Sequence, residues 1–196
     1  WKALHYAARK FFSPMLVSIR DLDDKIEIYV INDQHHEVES GIRLELLNMN
    51  GDILFKDSSE LNIEPFSSTI YRTFDKNDFL GGIDLSASVF RAELFVGRKS
   101  LSRAHQFFRR PKYLSIPSPE FDYKIERVRG KYVITIKSKS FLCQVHLISI
   151  KVRGVFSDNY FDLLPGEVQM IDFELSENKE LKKSDLRIRT LYEMMN

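Results

Sequence analysis

The sequence predicts an all-β protein: two consecutive immunoglobulin-like β-sandwich domains preceded by one helix. Three observations carry this. Runs with apolar and polar residues in alternation recur along most of the chain. Turn signals rich in Gly, Asn, Asp and Pro separate them. The one stretch with clear helical spacing and an apolar stripe stands at the very start, closed by Ser13-Pro14.

In that stretch, WKALHYAARKFFSP, Trp1, Leu4, Ala8, Phe11 and Phe12 fall on one stripe, with Lys2, Arg9 and Lys10 elsewhere. A helix of about 12 residues is marginal alone in water, so it needs a surface that covers the stripe. Neither sandwich offers an obvious place for it, and the chain starts without a methionine. Residues 1–14 are therefore expected to be the last helix of an upstream domain, and the chain the tail of a larger protein.

Residues 15–110 read as the first sandwich. Met15 to Arg20 and Lys25 to Asp33 flank an Asp-rich turn, with Ile26, Ile28 and Val30 facing one way and Glu27, Tyr29 and Ile31 the other. A polar turn leads to Ile42–Leu46, and Asn50-Gly51 signals a two-residue hairpin into Asp52–Phe55. Further runs are Leu61 to Phe66, Ser68 to Phe74, Ser88 to Gly97 and Ser102 to Arg109. Between two of them, residues 75–82 suit a short helical turn with an Asp cap and a Gly stop.

Three prolines in residues 111–119 predict an extended, semi-rigid connector. Residues 120–196 then form a second, smaller sandwich. Its runs are Tyr123 to Arg129, Lys131 to Lys137, Phe141 to Ile150, Val168 to Leu175 and Leu186 to Tyr192. In the third of these, Phe141, Cys143, Val145 and Leu147 are expected to share a face.

Composition excludes several classes. Hydrophobic residues at 43% and charged residues at 29% give an ordinary globular balance, which argues against disorder. A net charge of +1 offers no general attraction for nucleic acid or an anionic membrane surface. No apolar run is long enough for a membrane helix. The single cysteine, Cys143, rules out an internal disulfide and a Cys-rich zinc site, and leaves the compartment open.

A search for chemistry finds no site. Glu27, Glu45, Glu93 and Glu126 alternate with apolar residues, as on a solvated strand face. Asp33-Gln34-His35-His36-Glu37 resembles a ligand cluster, but adjacent histidines on a turn diverge, and a polar turn is the simpler reading. His5, His105 and His146 read as structural residues. Ser13, Ser100 and Ser102 lie in no nucleophile elbow. Cys143 sits on an apolar face, where a thiol is filler rather than nucleophile. Gly81-Gly82 lacks the context of a phosphate loop. Arg109-Arg110-Pro111-Lys112 suits a solvated linker or interdomain ion pairs. No cofactor or metal is expected.

One loop stands out, FSDNYFDLLPGE over 156–167. Asn159 and Asp162 suit local side-chain-to-backbone bonds. Tyr160, Phe161, Leu163 and Leu164 are too apolar for an exposed loop, and Pro165-Gly166 suits a tight turn. The loop reads either as an inter-sheet crossover that packs its own aromatics or as an aromatic platform for sugar, the former preferred.

Both stretches carry a resemblance. The opening one resembles the end of the catalytic barrel in the β-mannosidases of glycoside hydrolase family 2, and SDNYFDLLPGE is similar to a turn in their last sandwich domain, shared closely by the exo-β-glucosaminidases. The two motifs occur in the expected order with a sandwich between. The opening motif favours mannosidase; the loop does not discriminate. The resemblance implies retaining hydrolysis of terminal β-D-mannose by two glutamates about 5–5.5 Å apart, placed on an upstream (β/α)8 barrel and outside this sequence. It assigns Trp1, Leu4, Phe11 and Phe12 to the contact with that barrel, and Asn159, Tyr160, Phe161, Asp162, Pro165 and Gly166 to the sandwich loop. It implies no catalytic residue in this chain, no cofactor, and as partners only the barrel and the parent's β-mannosides; a homo-oligomer stays open. The alternatives are the tail of a related exo-β-glucosaminidase or β-galactosidase-like hydrolase, and an independent carbohydrate-binding or adhesion module.

Overall fold

The computed structural model describes residues 2–176 and 179–195; Trp1 lies outside them. The chain opens with α1 (Ala3–Phe11). The bonds Phe12 N–H to Ala8 O and Ser13 N–H to Lys10 O close its last turn before Pro14. Contacts divide the chain into two units. One holds Ala8–Asn48 and Asp52–Ser115; the other runs from Ile116 onward and includes Met49–Gly51 and the residues up to Ala7.

In the first unit come β1 (Met15–Asp21), β2 (Lys25–Asn32), β3 (Val38–Asn48), β4 (Ile53–Ile63), β5 (Ser67–Asp75), α2 (Lys76–Leu80), β6 (Ser88–Val96) and β7 (Lys99–Gln106). Two antiparallel sheets result, β1-β2-β5 and β4-β3-β6-β7. Alternation puts Ile26, Ile28 and Val30 of β2, Ile42, Leu44 and Leu46 of β3, and Phe90, Ala92 and Leu94 of β6 into one buried core. Phe74 and Phe79 stack at 4.3 Å, and Phe55 meets Phe79 edge-on at 5.2 Å. Asp75 caps α2 by accepting from the N–H groups of Asn77 and Asp78.

Two local expectations change. The runs at 52–55 and 61–66 are one strand, because β3 is long enough to pair with β4 from Val38 opposite Ile63 to Leu47 opposite Ile53. The polar stretch between them is an edge-strand segment rather than a turn. The Asn50-Gly51 hairpin has three loop residues, not two: Asn48 N–H donates to Asp52 O at 3.0 Å, and of the loop only Gly51 has positive φ, +93°. That is the geometry of a hairpin whose Gly forms the bulge.

The second unit contains β8 (Phe121–Val128), β9 (Lys131–Ser138), β10 (Leu142–Ser149), β11 (Gly154–Phe156), β12 (Phe161–Leu163), β13 (Val168–Leu175), β14 (Leu186–Arg189) and α3 (Tyr192–Met195). Its sheets are β11-β13-β9-β8 and β12-β10-β14. Tyr132, Ile134 and Ile136 of β9, with Ile171 and Phe173 beside them on β13, share one core with Leu142, Val145 and Leu147 of β10 in the other sheet. The expected shared face of Phe141, Cys143, Val145 and Leu147 is broken. The β10–β12 register shifts between Leu142 and Val145, and Gln144 takes φ +53°. The extra residue turns Leu142 into the core with Val145, and leaves Phe141 and Cys143 buried outside that cluster. No described helix is long and apolar enough to cross a membrane.

Candidate functional site

The loop between β11 and β13 is the most constrained polar feature of the second unit. Asn159 is buried, and its amide treats Leu147 as a neighbouring strand would. Oδ1 accepts from Leu147 N–H at 2.8 Å and Nδ2 donates to Leu147 O at 2.9 Å. Tyr160 N–H donates to Val145 O at 2.8 Å. The side chain thus extends the ladder of β10 where the loop backbone cannot. Asp162 does the same for the bulge, accepting from Gln144 N–H at 2.8 Å. The sequence marked both residues as local bond makers; Asn159 Oδ1 does accept from Tyr160 N–H at 3.1 Å, but its partner Leu147 and the partner of Asp162, Gln144, lie 12 and 18 positions away.

Tyr160 sits at φ +57°, strained for a side chain of its size. Its hydroxyl lies 2.8 Å from His146 Nε2, and the two rings stack at 4.3 Å and 23°. Tyr6 of α1, buried, meets Tyr160 at 6.0 Å. The helix therefore does have a partner in the second unit, contrary to the expectation that neither sandwich would hold it. Tyr6 lies off the predicted stripe, and nothing in the helical spacing distinguishes it. Leu4, Phe11 and Phe12 of the stripe remain 74%, 67% and 86% exposed. Burial, then the Arg189 charge, pushes the His146 pKa down.

Phe161, Leu163 and Leu164 are buried, the first two in the core. Leu164-Pro165-Gly166-Glu167 makes the tight turn, with Gly166 at φ +84° and Glu167 N–H donating to Leu164 O. Phe161 packs in the core, and Tyr160 spends its ring on His146 and Tyr6 and its hydroxyl on His146.

The acids need a correction. Glu27, Glu45 and Glu93 are buried, not solvated; Glu126 is exposed. On the face of β3 and β6 away from the core, Glu45 is bound by Arg91, with Nε at 3.1 Å, and by Lys56 at 3.4 Å. Glu93 takes Arg103 at 2.7 Å and Arg43 at 3.5 Å. These are cross-strand pairs: Glu45 faces Arg91, Arg43 faces Glu93, and Glu93 faces Arg103. Spacing alone shows the face of such residues but not the cross-strand cation that permits burial. Burial alone would raise the Glu93 pKa; the Arg103 hydrogen bond and charge outweigh it and hold the carboxyl below the usual range. A carboxylate held ionised in this way is unsuited to general-acid work.

Burial and Asp162 push the Cys143 thiol up, far from a reactive thiolate. His35 and His36 meet edge-on at 5.0 Å on an exposed turn, and no described group of His, Cys, Asp and Glu could hold a metal. Arg109, Arg110 and Lys112 are exposed, Lys112 over Tyr113 at 4.6 Å.

With this geometry in place, comparison is informative. Residues 24–113 match the mannosidase Ig/CBM-like domain model, and residues 116–194 an Ig-fold domain model drawn from mannosidases. β-Mannosidase A of Emericella nidulans is 24% identical over 98% of this chain, and that of Aspergillus oryzae 26% over 91%. The chain spans only 23% and 21% of their lengths. Among solved structures, the β-D-mannosidase of Dictyoglomus thermophilum superposes with a TM-score of 0.82 at 20% identity, over 95% of this chain and 22% of that one. The exo-chitosanase CsxA of Amycolatopsis orientalis follows at 0.68 and 14%, over 95% and 26%. The all-β, two-domain Ig-like reading with one leading helix stands.

Proposed function

This chain belongs, through its two Ig-like domains, to the β-mannosidases of glycoside hydrolase family 2, and from that premise we propose that it is the non-catalytic support of a catalytic (β/α)8 barrel carried by the same polypeptide. The parent enzyme, on this reading, removes terminal non-reducing β-D-mannose with retention, using two barrel glutamates. The chain itself supplies no catalytic group.

The observation that carries the reading is the divided character of α1. One side is locked: Tyr6 is buried on Tyr160, which His146 holds in turn. The other side shows Leu4, Phe11 and Phe12 to solvent. A short helix fixed to a sandwich by one face, with a greasy second face, suits a joint that transmits the position of the sandwich to a further domain. The same segment lies within the 98% of the chain aligned with the Emericella enzyme. The buried acids, each tied to a cation, favour a supporting role over a catalytic one.

The test is direct. The chain alone should hydrolyse no aryl β-mannoside, whereas the same chain joined to its barrel should. Turnover by the isolated chain would overturn the placement of the active site. An aryl β-glucosaminide cleaved in preference by the joined enzyme would favour the tail of an exo-β-glucosaminidase instead.

A further inference from the structure

Among the described residues, four other than glycine take positive φ: Phe66, Arg129, Gln144 and Tyr160. Three have evident reasons. Arg129 precedes Gly130 in a two-residue hairpin between Val128 and Lys131, where both loop positions need φ > 0. Gln144 is the β10 bulge, and Tyr160 is bound to His146. Phe66 is different. It occupies the third position of the turn Glu64-Pro65-Phe66-Ser67 at φ +48°, a place that favours Gly or Asn, and its side chain is 74% exposed. Its ring makes no aromatic or cation–π contact with any described residue.

The turn that presents this ring is firmly built. Asn32 is buried, and its Nδ2 donates to the carbonyls of Ile63, Glu64 and His36 at 3.1, 3.1 and 3.0 Å. Its Oδ1 accepts from Gln34 N–H at 2.9 Å, and Phe66 N–H donates to Gln34 O at 3.2 Å. One buried amide thus ties the β2–β3 turn, with exposed His35 and His36, to the β4–β5 turn with Phe66. Backbone strain spent to hold a bare ring in solvent gains nothing for the fold, and such strain is characteristic of binding sites.

We infer that this end of the first unit, Phe66 with His35 and His36, is a platform for a neutral oligosaccharide. The chemistry selects the ligand. A flat exposed ring offers its negative face to the C–H groups of a pyranose. The adjacent imidazoles offer a donor and an acceptor each to hydroxyls. Residues 31–40 and 61–70 include Asp33, Glu37, Glu39 and Glu64 but no Lys or Arg, which disfavours phosphate, nucleic acid and anionic lipid. A single exposed ring is also too small for the apolar centre of a stable protein interface. The choice of mannan as first ligand rests on the hydrolase reading, whereas binding itself is measured on this chain without turnover.

The experiment is a titration of the isotope-labelled chain with mannohexaose and, in parallel, cellohexaose, followed by amide and imidazole NMR shifts. Binding in the low-millimolar range is expected to shift residues 34–37 and 64–67. Phe66→Gly is the decisive variant. Glycine accepts this φ, so the variant should melt at or above the temperature of the original chain, yet lose at least about tenfold in affinity, or about 1.4 kcal/mol. Binding of cellohexaose alone would support the platform and count against mannan as its ligand. No shifts with either sugar at about 10 mM, shifts confined to other residues, or undiminished binding by Phe66→Gly would each overturn the inference.

Discussion

The hydroxyl of Tyr160 lies 2.8 Å from His146 Nε2 while the two rings stack at 4.3 Å. A residue in a strained backbone conformation is thus pinned by a polar and a stacking contact to the same neighbour, and it in turn receives Tyr6. Tyr160→Phe keeps the ring and removes only the hydroxyl. It should cost about 0.5–1.5 kcal/mol in urea unfolding of the chain. Amides of α1 should exchange faster in the variant, which a change confined to the loop would not produce.

The same pair predicts a pH dependence. Burial, with the Arg189 charge, depresses the folded-state pKa of His146. The unfolded chain therefore binds the proton first as pH falls below about 6.5. Stability should be full above that pH and decline from there down through the depressed folded value. His146→Gln should flatten this part of the profile, measured as urea midpoints between pH 8 and 5. An unchanged slope in the variant would assign the dependence to other groups.

Asn159 binds Leu147 through both ends of its amide. Asn159→Ala leaves both Leu147 N–H and Leu147 O without their partner in a buried setting. The cost should be about 2–4 kcal/mol by urea unfolding, at the upper end of a single-residue polar change. Asn159→Asp should be no milder, because its carboxylate can accept from Leu147 N–H but repels Leu147 O.

The ion pairs of the first unit predict a non-additive response. Arg91→Met leaves Glu45 buried with Lys56, 3.4 Å away and half-exposed, as its remaining described cation, and should cost about 3 kcal/mol. Arg91→Met with Glu45→Leu should recover much of that loss, since an apolar pair of similar volume replaces a desolvated one. A double-mutant cycle by urea denaturation measures the difference. Additive losses would mean the two side chains are not coupled.

What the sequence made legible follows from the range of each signal. Period-two alternation is local, so the longer strands of both sandwiches could be read, as could the Asp75 cap and the turn at Pro165-Gly166; the three-residue β11 and β12 were too short to show it, and β12 lies in what read as a loop. Pairing is not local. The single long β4 became visible only through its partner β3, and the polar Lys56–Glu60 stretch looked like a break. Burial of Glu45 and Glu93 depended on Arg91 and Arg103 arriving from other strands. The bulge at Gln144 inverted an alternation that read cleanly as a strand. In the loop, Asn159 and Asp162 were legible as hydrogen-bonding residues, but Tyr6 and His146 were not, because aromatic contacts across 14 or more positions leave no periodic trace.

The two sides of α1 should respond oppositely to substitution. Leu4, Phe11 and Phe12 are largely exposed, so replacing all three with Ser removes little buried area from this chain. Its urea stability should change by no more than about 0.5 kcal/mol per site, and its tendency to self-associate, read by light scattering, should fall. Tyr6→Ala removes a buried ring and its contact with Tyr160, and should cost about 3 kcal/mol in the same chain. Joined to a barrel, the order should invert for the three outward residues: the triple Ser variant should lower the unfolding temperature of the joined enzyme while leaving the isolated chain intact. A large loss of stability in the isolated triple variant would mean that this face is already covered within the chain, and the joint would have to be sought elsewhere.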